Sequence, residues 1–204
     1  SDLQGADLDR DRILGAIVRL IDQGFFRVGN DKSALAESTY GLTTIRGQHV
    51  KVHGSKLLID YIGKWKKAQK RAIDDREVAE IVRALKGLHQ KELFAFVEDG
   101  KVRDVKDRHV NDYIQSIIGD TFTAKDFRTW AGTLLCSIAL AMEGKGASKT
   151  ERQRKIKSTI QATAEQHGTT PAVCRSSYIC PRILEDYSEG RPFHPLPTGP
   201  RGTP

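Results

Sequence analysis

The chain has 204 residues, 38% hydrophobic and 29% charged, an ordinary balance for one or two globular domains with a proper core. Its formal net charge of +7 (pI ≈ 9.4) favours a polyanionic partner, most simply nucleic acid, although a generic basic protein carries such a charge too. No apolar run is long enough to span a membrane, no signal peptide opens the chain, and neither a Gly-rich phosphate loop nor a zinc-like Cys/His pairing appears.

Leu8 to Asp22 reads as an amphipathic helix, with Ile13, Ile17, Leu20 and Ile21 on one face and Gly24 as its stop. Phe25-Phe26-Arg27-Val28-Gly29-Asn30 follows, and on its own Arg27 reads as a surface arginine. His49 to His53 and Leu57 to Ile62 alternate like strands around a Gly54-Ser55 turn, which predicts a β-hairpin or small meander. Lys64, Lys66, Lys67, Lys70 and Arg71, interrupted by Trp65, form a basic run that suits a solvated face or a phosphate backbone. Asp74 is the expected cap of a helix with Val78, Ile81, Val82 and Leu85 inward and Gly87 at its end.

Leu93 to Phe96 is a short apolar segment before a turn at Asp99-Gly100. Asp107 to Ile118 is a helix with Val110, Ile114 and Ile117 inward. Thr123, with Asp126 at the capping-box position, opens a helix that Phe127, Trp130, Leu134, Leu135, Ile138 and Met142 make the most hydrophobic of the chain, and it is expected to be central. Lys125 and Arg128 stand near its N-terminus, where backbone N–H groups favour anions; a bound phosphate would relieve that conflict, and so would plain solvation. Lys149 to Gln166 is a basic peripheral helix with a thin apolar face. Thr170 and Pro171 start a short helix that carries the chain to Tyr178 and stops at Pro181, and Ile183 to Tyr187 adds one more helical piece. Cys136, Cys174 and Cys180, an odd count, lie in or beside apolar helical segments and read as reduced thiols. The Pro- and Gly-rich stretch 191–204 is expected to be disordered.

Five segments in order resemble the catalytic domain of type IB DNA topoisomerases, the bacterial and poxvirus kind. They are Phe26-Arg27-Val28-Gly29-Asn30, Tyr40-Gly41-Leu42-Thr43-Thr44, Gly63-Lys64, Phe122 to Trp130, and Thr170-Pro171-Ala172-Val173-Cys174-Arg175 running on to Tyr178. The resemblance implies a mainly α, α+β catalytic domain over 1–190, with a β-containing subregion at about 25–72 and a helical bundle at about 73–190.

It implies that Tyr178 attacks a phosphodiester of double-stranded DNA to give a 3′-phosphotyrosine. Arg27 and Arg128 would clamp the non-bridging oxygens, Lys64 would act as general acid, and Lys125 would help that proton relay. Asn30, Lys32, Lys66, Lys67 and Arg175 would contact DNA, with no cofactor, metal or ATP. A monomer in the bacterial cytoplasm, associated with the nucleoid, is expected.

The sequence departs from that pattern in three places. Thr169 stands where relatives carry a phosphate-contacting His or Asn, and His167 substitutes for it only if the loop is rearranged. Trp65 follows Lys64 where some relatives carry an acidic residue. The small N-terminal β domain of relatives is not in this chain, and the opening Ser1-Asp2-Leu3 suggests a processed chain or a fragment. The rival readings are a tyrosine recombinase-like strand transferase, against which Lys125-Asp126-Phe127-Arg128 replaces the usual His-x-x-Arg, a non-catalytic DNA-binding domain with a decayed site, and an unrelated basic helical protein.

Overall fold

A computed structural model describes residues 8–88 and 90–191, with the backbone alone at Lys32. The stretch 192–204, expected to be disordered, lies outside the described residues. The chain is mainly α with a small antiparallel β element, and it divides into two compact units, one through Arg128 and one from Thr129.

The first unit begins with α1 (Arg10–Gly24), capped by the Asp9 carboxylate on the Asp11 N–H. Its apolar stripe buries Ile13, Leu14, Ile17, Leu20 and Ile21, and Phe25 closes it in a left-handed conformation (φ 56°) with its N–H on the Ile21 carbonyl. The short α2 (Asp31–Glu37) follows. Strands β1 (Val50–His53) and β2 (Lys56–Ile62) form the expected hairpin, and β3 (Ala68–Asp74) adds a third antiparallel strand within the basic run. Its register sets Ile59 opposite Arg71 and Tyr61 opposite Gln69 on one face, so Gln69 is buried and Arg71 half-buried. The Arg71 guanidinium donates to the Gly24 carbonyl (3.3 Å), and a wholly solvated basic face is thereby corrected.

Helix α3 (Arg76–Gly87) is capped by Asp75 rather than the expected Asp74. Asp74 ends β3 and accepts from the Ser55 hydroxyl. Asp75 is buried and accepts from the Val78 N–H, the Gln23 amide and Arg19, so it joins α3 to α1. Strands β4 (Ala95–Glu98) and β5 (Lys101–Asp104) make a second hairpin. Helix α4 (Asp107–Ile118) buries Val110 and Ile114, but Ile117 is 62% exposed because the last turn runs past the edge of the core.

Helix α5 (Ala124–Glu143) starts in the first unit and ends in the second. Its buried positions in the second unit are Ala131, Gly132, Cys136 and Leu140, whereas Trp130, Ile138 and Met142 are exposed. The helix is apolar on several sides, and the side with the small residues is the one that is covered. Helices α6 (Lys149–Gln166), α7 (Pro171–Ser177) and α8 (Pro181–Ser188) complete the second unit around Leu140, Ile156, Ile160, Cys174, Ile179 and Leu184. Pro181 opens α8 instead of ending α7, since its missing N–H suits a first helical turn. Cys136 and Cys174 are both buried; burial and the neighbouring Cys174 push the Cys136 thiol up to about 12. Among the described residues no helix is long and apolar enough to cross a membrane.

Candidate functional site

Arg27 lies in the loop between α1 and α2, and the Tyr40-Gly41-Leu42-Thr43-Thr44 segment fastens that loop from behind. The Leu42 N–H donates to the Arg27 carbonyl (2.9 Å), and the Thr43 N–H and hydroxyl both donate to the Val28 carbonyl (2.6 and 3.1 Å). The Thr44 hydroxyl accepts from the Gly41 N–H (3.0 Å) and so closes the turn. The two backbones cross at Gly29 (φ 120°) and Gly41, where a Cβ on Gly41 would lie 2.5 Å from the Gly29 Cα. The two motifs are one structural device, and Arg27 stands on it half-buried.

Lys64 opens the turn between β2 and β3, closed by the Gly63 N–H on the Lys67 carbonyl (2.8 Å). Trp65 and Lys66 both adopt left-handed backbone angles (φ 61° and 57°). The Arg27 guanidinium lies 5.2 Å from the Trp65 ring centroid and the Lys64 ammonium 5.1 Å, so two of the predicted cations meet on one indole. Lys64 and Lys66 are exposed and Lys67 is half-buried; the Lys66 ammonium reaches the Glu37 carbonyl.

Arg128, 4% exposed, is the last residue of the first unit. It joins Arg27 and Arg71 in the field acting on Tyr61, whose phenol burial holds well above its ordinary range while the charges of Arg128, Arg71 and Arg27 pull it back. Sequence reasoning missed Tyr61 and Gln69; the signal was the alternation that aligns Leu57, Ile59 and Tyr61. Lys125 is exposed in the first turn of α5. There Asp126 accepts from the Thr123 N–H and hydroxyl (both 2.8 Å), and Asn111 accepts from the Ala124 N–H (3.0 Å). The protein's own groups answer much of the charge conflict expected at that helix end. Asn30 is exposed just before α2, and the side chain of Lys32 lies outside the described residues.

In the second unit Thr170 caps α7 by accepting from the Val173 N–H (3.3 Å), and the helix ends with Tyr178 as its C-cap, the Tyr178 N–H on the Cys174 carbonyl (3.0 Å). The Thr133 hydroxyl donates to the Tyr178 carbonyl (3.2 Å) and accepts from the Cys180 N–H (3.0 Å). Gly132 faces the same peptide: a Cβ there would sit 2.7 Å from the Tyr178 carbonyl oxygen. His167, which caps α6, stacks on the Tyr178 ring with centroids 5.3 Å apart and planes 24° from parallel. His167, Thr169 and Tyr178 are all buried, while Arg175 is exposed on α7. Among the described residues no group of three or more His, Cys, Asp or Glu side chains gathers to hold a metal ion.

This arrangement offers a phenol with a fixed main chain in one unit, and in the other a half-buried and a buried guanidinium with a primary amine near the former. Such groups suit phosphoryl chemistry, in which the protein positions the reactants and neutralises charge on phosphate oxygens. Comparison with known proteins points the same way. Residues 2–189 match the family model described as eukaryotic DNA topoisomerase I, catalytic core. The chain is 28% identical over 193 residues to the DNA topoisomerase 1B of Acanthamoeba polyphaga mimivirus, over 91% of this chain and 57% of that protein. It is 25% identical over 177 residues to the DNA topoisomerase I of Monkeypox virus and to the DNA topoisomerase 1B of Vaccinia virus (strain Copenhagen), over 83% of this chain and 52% of each. The chain spans about half the length of the curated relatives it matches.

Proposed function

The chain belongs to the family of the eukaryotic DNA topoisomerase I catalytic core, and from that membership we propose that it is the catalytic domain of a type IB DNA topoisomerase acting on double-stranded DNA as a monomer. The Tyr178 oxygen attacks phosphorus in line with the departing 5′-oxygen; the O–P bond to tyrosine forms as the P–O5′ bond breaks, and the phenol gives up its proton to water. Lys64 protonates the 5′-oxygen, with Lys125 assisting the relay. Arg27 and Arg128 neutralise the non-bridging oxygens of the pentacoordinate transition state. The broken strand turns about the intact one, and the 5′-hydroxyl then attacks the phosphotyrosine to reseal. A phenolate is a serviceable leaving group and the ester keeps the bond energy, so relaxation runs downhill without ATP or a metal. Asn30, Lys32, Lys66, Lys67 and Arg175 hold the DNA backbone. The setting is the cytoplasm, at the bacterial nucleoid.

The observation that carries this reading is the family match over 2–189, a span that includes all five motif segments. The test is a suicide duplex oligonucleotide in EDTA without ATP, probed for an SDS-stable protein–DNA adduct. Wild type forms the adduct and Tyr178→Phe forms none. DNA binding falls steeply with salt, because each Lys or Arg contact to phosphate releases counterions. An absent wild-type adduct with salt-sensitive binding intact would replace this reading with a non-catalytic DNA-binding domain.

A further inference from the structure

Trp65 is an unfavourable choice for its position on local grounds. It is 47% exposed, and it shares left-handed backbone angles with Lys66, a conformation that a bulky side chain adopts at a cost and that Gly or Asn would adopt more easily. The basic run around it gives no reason for an aromatic residue. The structure supplies one. Arg27, from the loop after α1, and Lys64, from the turn after β2, both bring their charges to about 5 Å from the indole centroid, at 5.2 and 5.1 Å. The negative face of an indole ring attracts a cation that lies over it, and here one ring takes two. Lys64 is exposed on a flexible four-carbon stem, so a ring contact restricts where its ammonium goes.

We infer that Trp65 is a positioning residue: its ring holds Arg27 and Lys64 together before DNA arrives, so that clamp and proton donor meet the phosphate as a preassembled pair. The indole touches neither the phosphorus nor the leaving oxygen; it acts through the two cations. Preassembly lowers the rearrangement needed at the reacting phosphate and therefore acts on the chemical step more than on DNA affinity, most of which comes from other cations along the backbone. The catalytic part of this inference rests on the proposed function, whereas the ring contact itself does not.

The experiment has a spectroscopic arm and a kinetic arm, both on the full 204-residue chain. Trp65 and Trp130 are its two tryptophans, so Trp130→Phe leaves Trp65 as the sole indole reporter. In that background and without DNA, Arg27→Met and Lys64→Met each shift the Trp65 emission and its quenching by acrylamide, and a duplex oligonucleotide shifts them as well. In the kinetic arm, Trp65→Ala lowers single-turnover cleavage at saturating DNA by roughly tenfold, as expected for losing cation–π contacts, with the duplex Kd nearly unchanged. Trp65→Phe, which keeps an aromatic face, restores most of the rate. Thermal melts confirm that both variants fold. Emission indifferent to Arg27→Met and Lys64→Met overturns the inference. So does a folded Trp65→Ala that cleaves like the parent, or a Trp65→Phe as slow as Trp65→Ala. A parent that forms no adduct overturns the proposed function instead, and the emission arm alone then decides whether the ring gathers the two cations.

Discussion

The Arg27 and Lys64 side chains lean on an exposed ring, whereas Tyr178 is buried and its peptide is pressed against a helix. In the first unit the two cations stand at half-buried and exposed positions and lean on the Trp65 ring, beside a broad apolar core. In the second, a small core supports a buried phenol whose carbonyl receives the Thr133 hydroxyl, whose peptide abuts Gly132, and whose ring lies against His167. The difference teaches where tolerance lies. A side chain leaning on a ring can readjust when its surroundings change. A peptide pressed against a helix cannot move without moving the Tyr178 side chain.

The strongest way to break this contrast is Gly132→Ala. A methyl group there lies 2.7 Å from the Tyr178 carbonyl oxygen and 2.9 Å from its Cβ, so the peptide must shift. A misplacement of about 1 Å costs on the order of 100-fold in rate. Adduct formation by Gly132→Ala therefore falls by about that factor while DNA affinity stays near wild type. Near-normal cleavage would mean that the second unit yields as softly as the cation platform of the first.

Asp75→Ala probes the other side. The carboxylate is buried, caps α3 through the Val78 N–H, and receives Gln23 and Arg19. Burial raises its pKa, but the Val78, Gln23 and Arg19 hydrogen bonds and the Arg19 charge outweigh that and hold it below the ordinary value. Removing a cap and two side-chain partners costs about 2–3 kcal/mol of stability, read by denaturant melts. The partners of Asp75 are Val78, Gln23 and Arg19 and not Arg27 or Lys64, so the folded fraction of Asp75→Ala cleaves at close to the parental rate.

Thr169→Asn is a smaller change with the opposite sign. Thr169 is 1% exposed in the segment between α6 and α7, at the position where the family resemblance implies a phosphate contact by His or Asn. An amide reaches further than a hydroxyl, and one added hydrogen bond to a transition-state oxygen speeds cleavage by roughly tenfold or more. Single-turnover cleavage tests this. An unchanged rate would assign the local role to His167, which lies on the Tyr178 ring.

The parts legible in the sequence are those where local chemistry and structure agree. Thr170 and Pro171 announce α7, α6 runs between its predicted ends, and the β1–β2 hairpin follows from alternation about Gly54-Ser55. Strand β3 was hidden because two of its inward residues, Gln69 and Arg71, are polar, so the hydrophobic period of two is masked by charge. The inner side of α5 was illegible because apolar residues surround the helix; Gly132 and Thr133, not the large side chains, mark the surface that is used. Trp65 could be seen as a departure from the family pattern, but its contact with Arg27 joins residues far apart in the chain and leaves no trace in local spacing.

The smallest expected effect is a pH dependence in the first unit. His49 accepts from the Arg46 N–H (3.0 Å) beside Tyr40, and His109 accepts from the Lys106 N–H (3.2 Å) beside Phe96. Burial lowers the pKa of both below 6.5, helped by Arg46 for His49 and by Arg108 and Arg10 for His109, with Asp60 opposing in the first case and Asp112 and Glu98 in the second. A histidine with a lowered folded pKa stays neutral in the native state at a pH where the unfolded chain already binds a proton. Stability is therefore fully present above about 6.5 and declines as the pH falls from there toward the lowered folded values. Both side chains are partly solvated, so water screens the effect and keeps it below that of Asp75→Ala. Native-state hydrogen exchange of β1 and α4 amides at pH 7 and pH 5 measures it, and His49→Asn with His109→Asn flattens the slope. A slope that survives both substitutions would assign the acid sensitivity to carboxylates such as Asp75, whose lowered pKa makes its contribution disappear only at lower pH, below the ordinary 3.8.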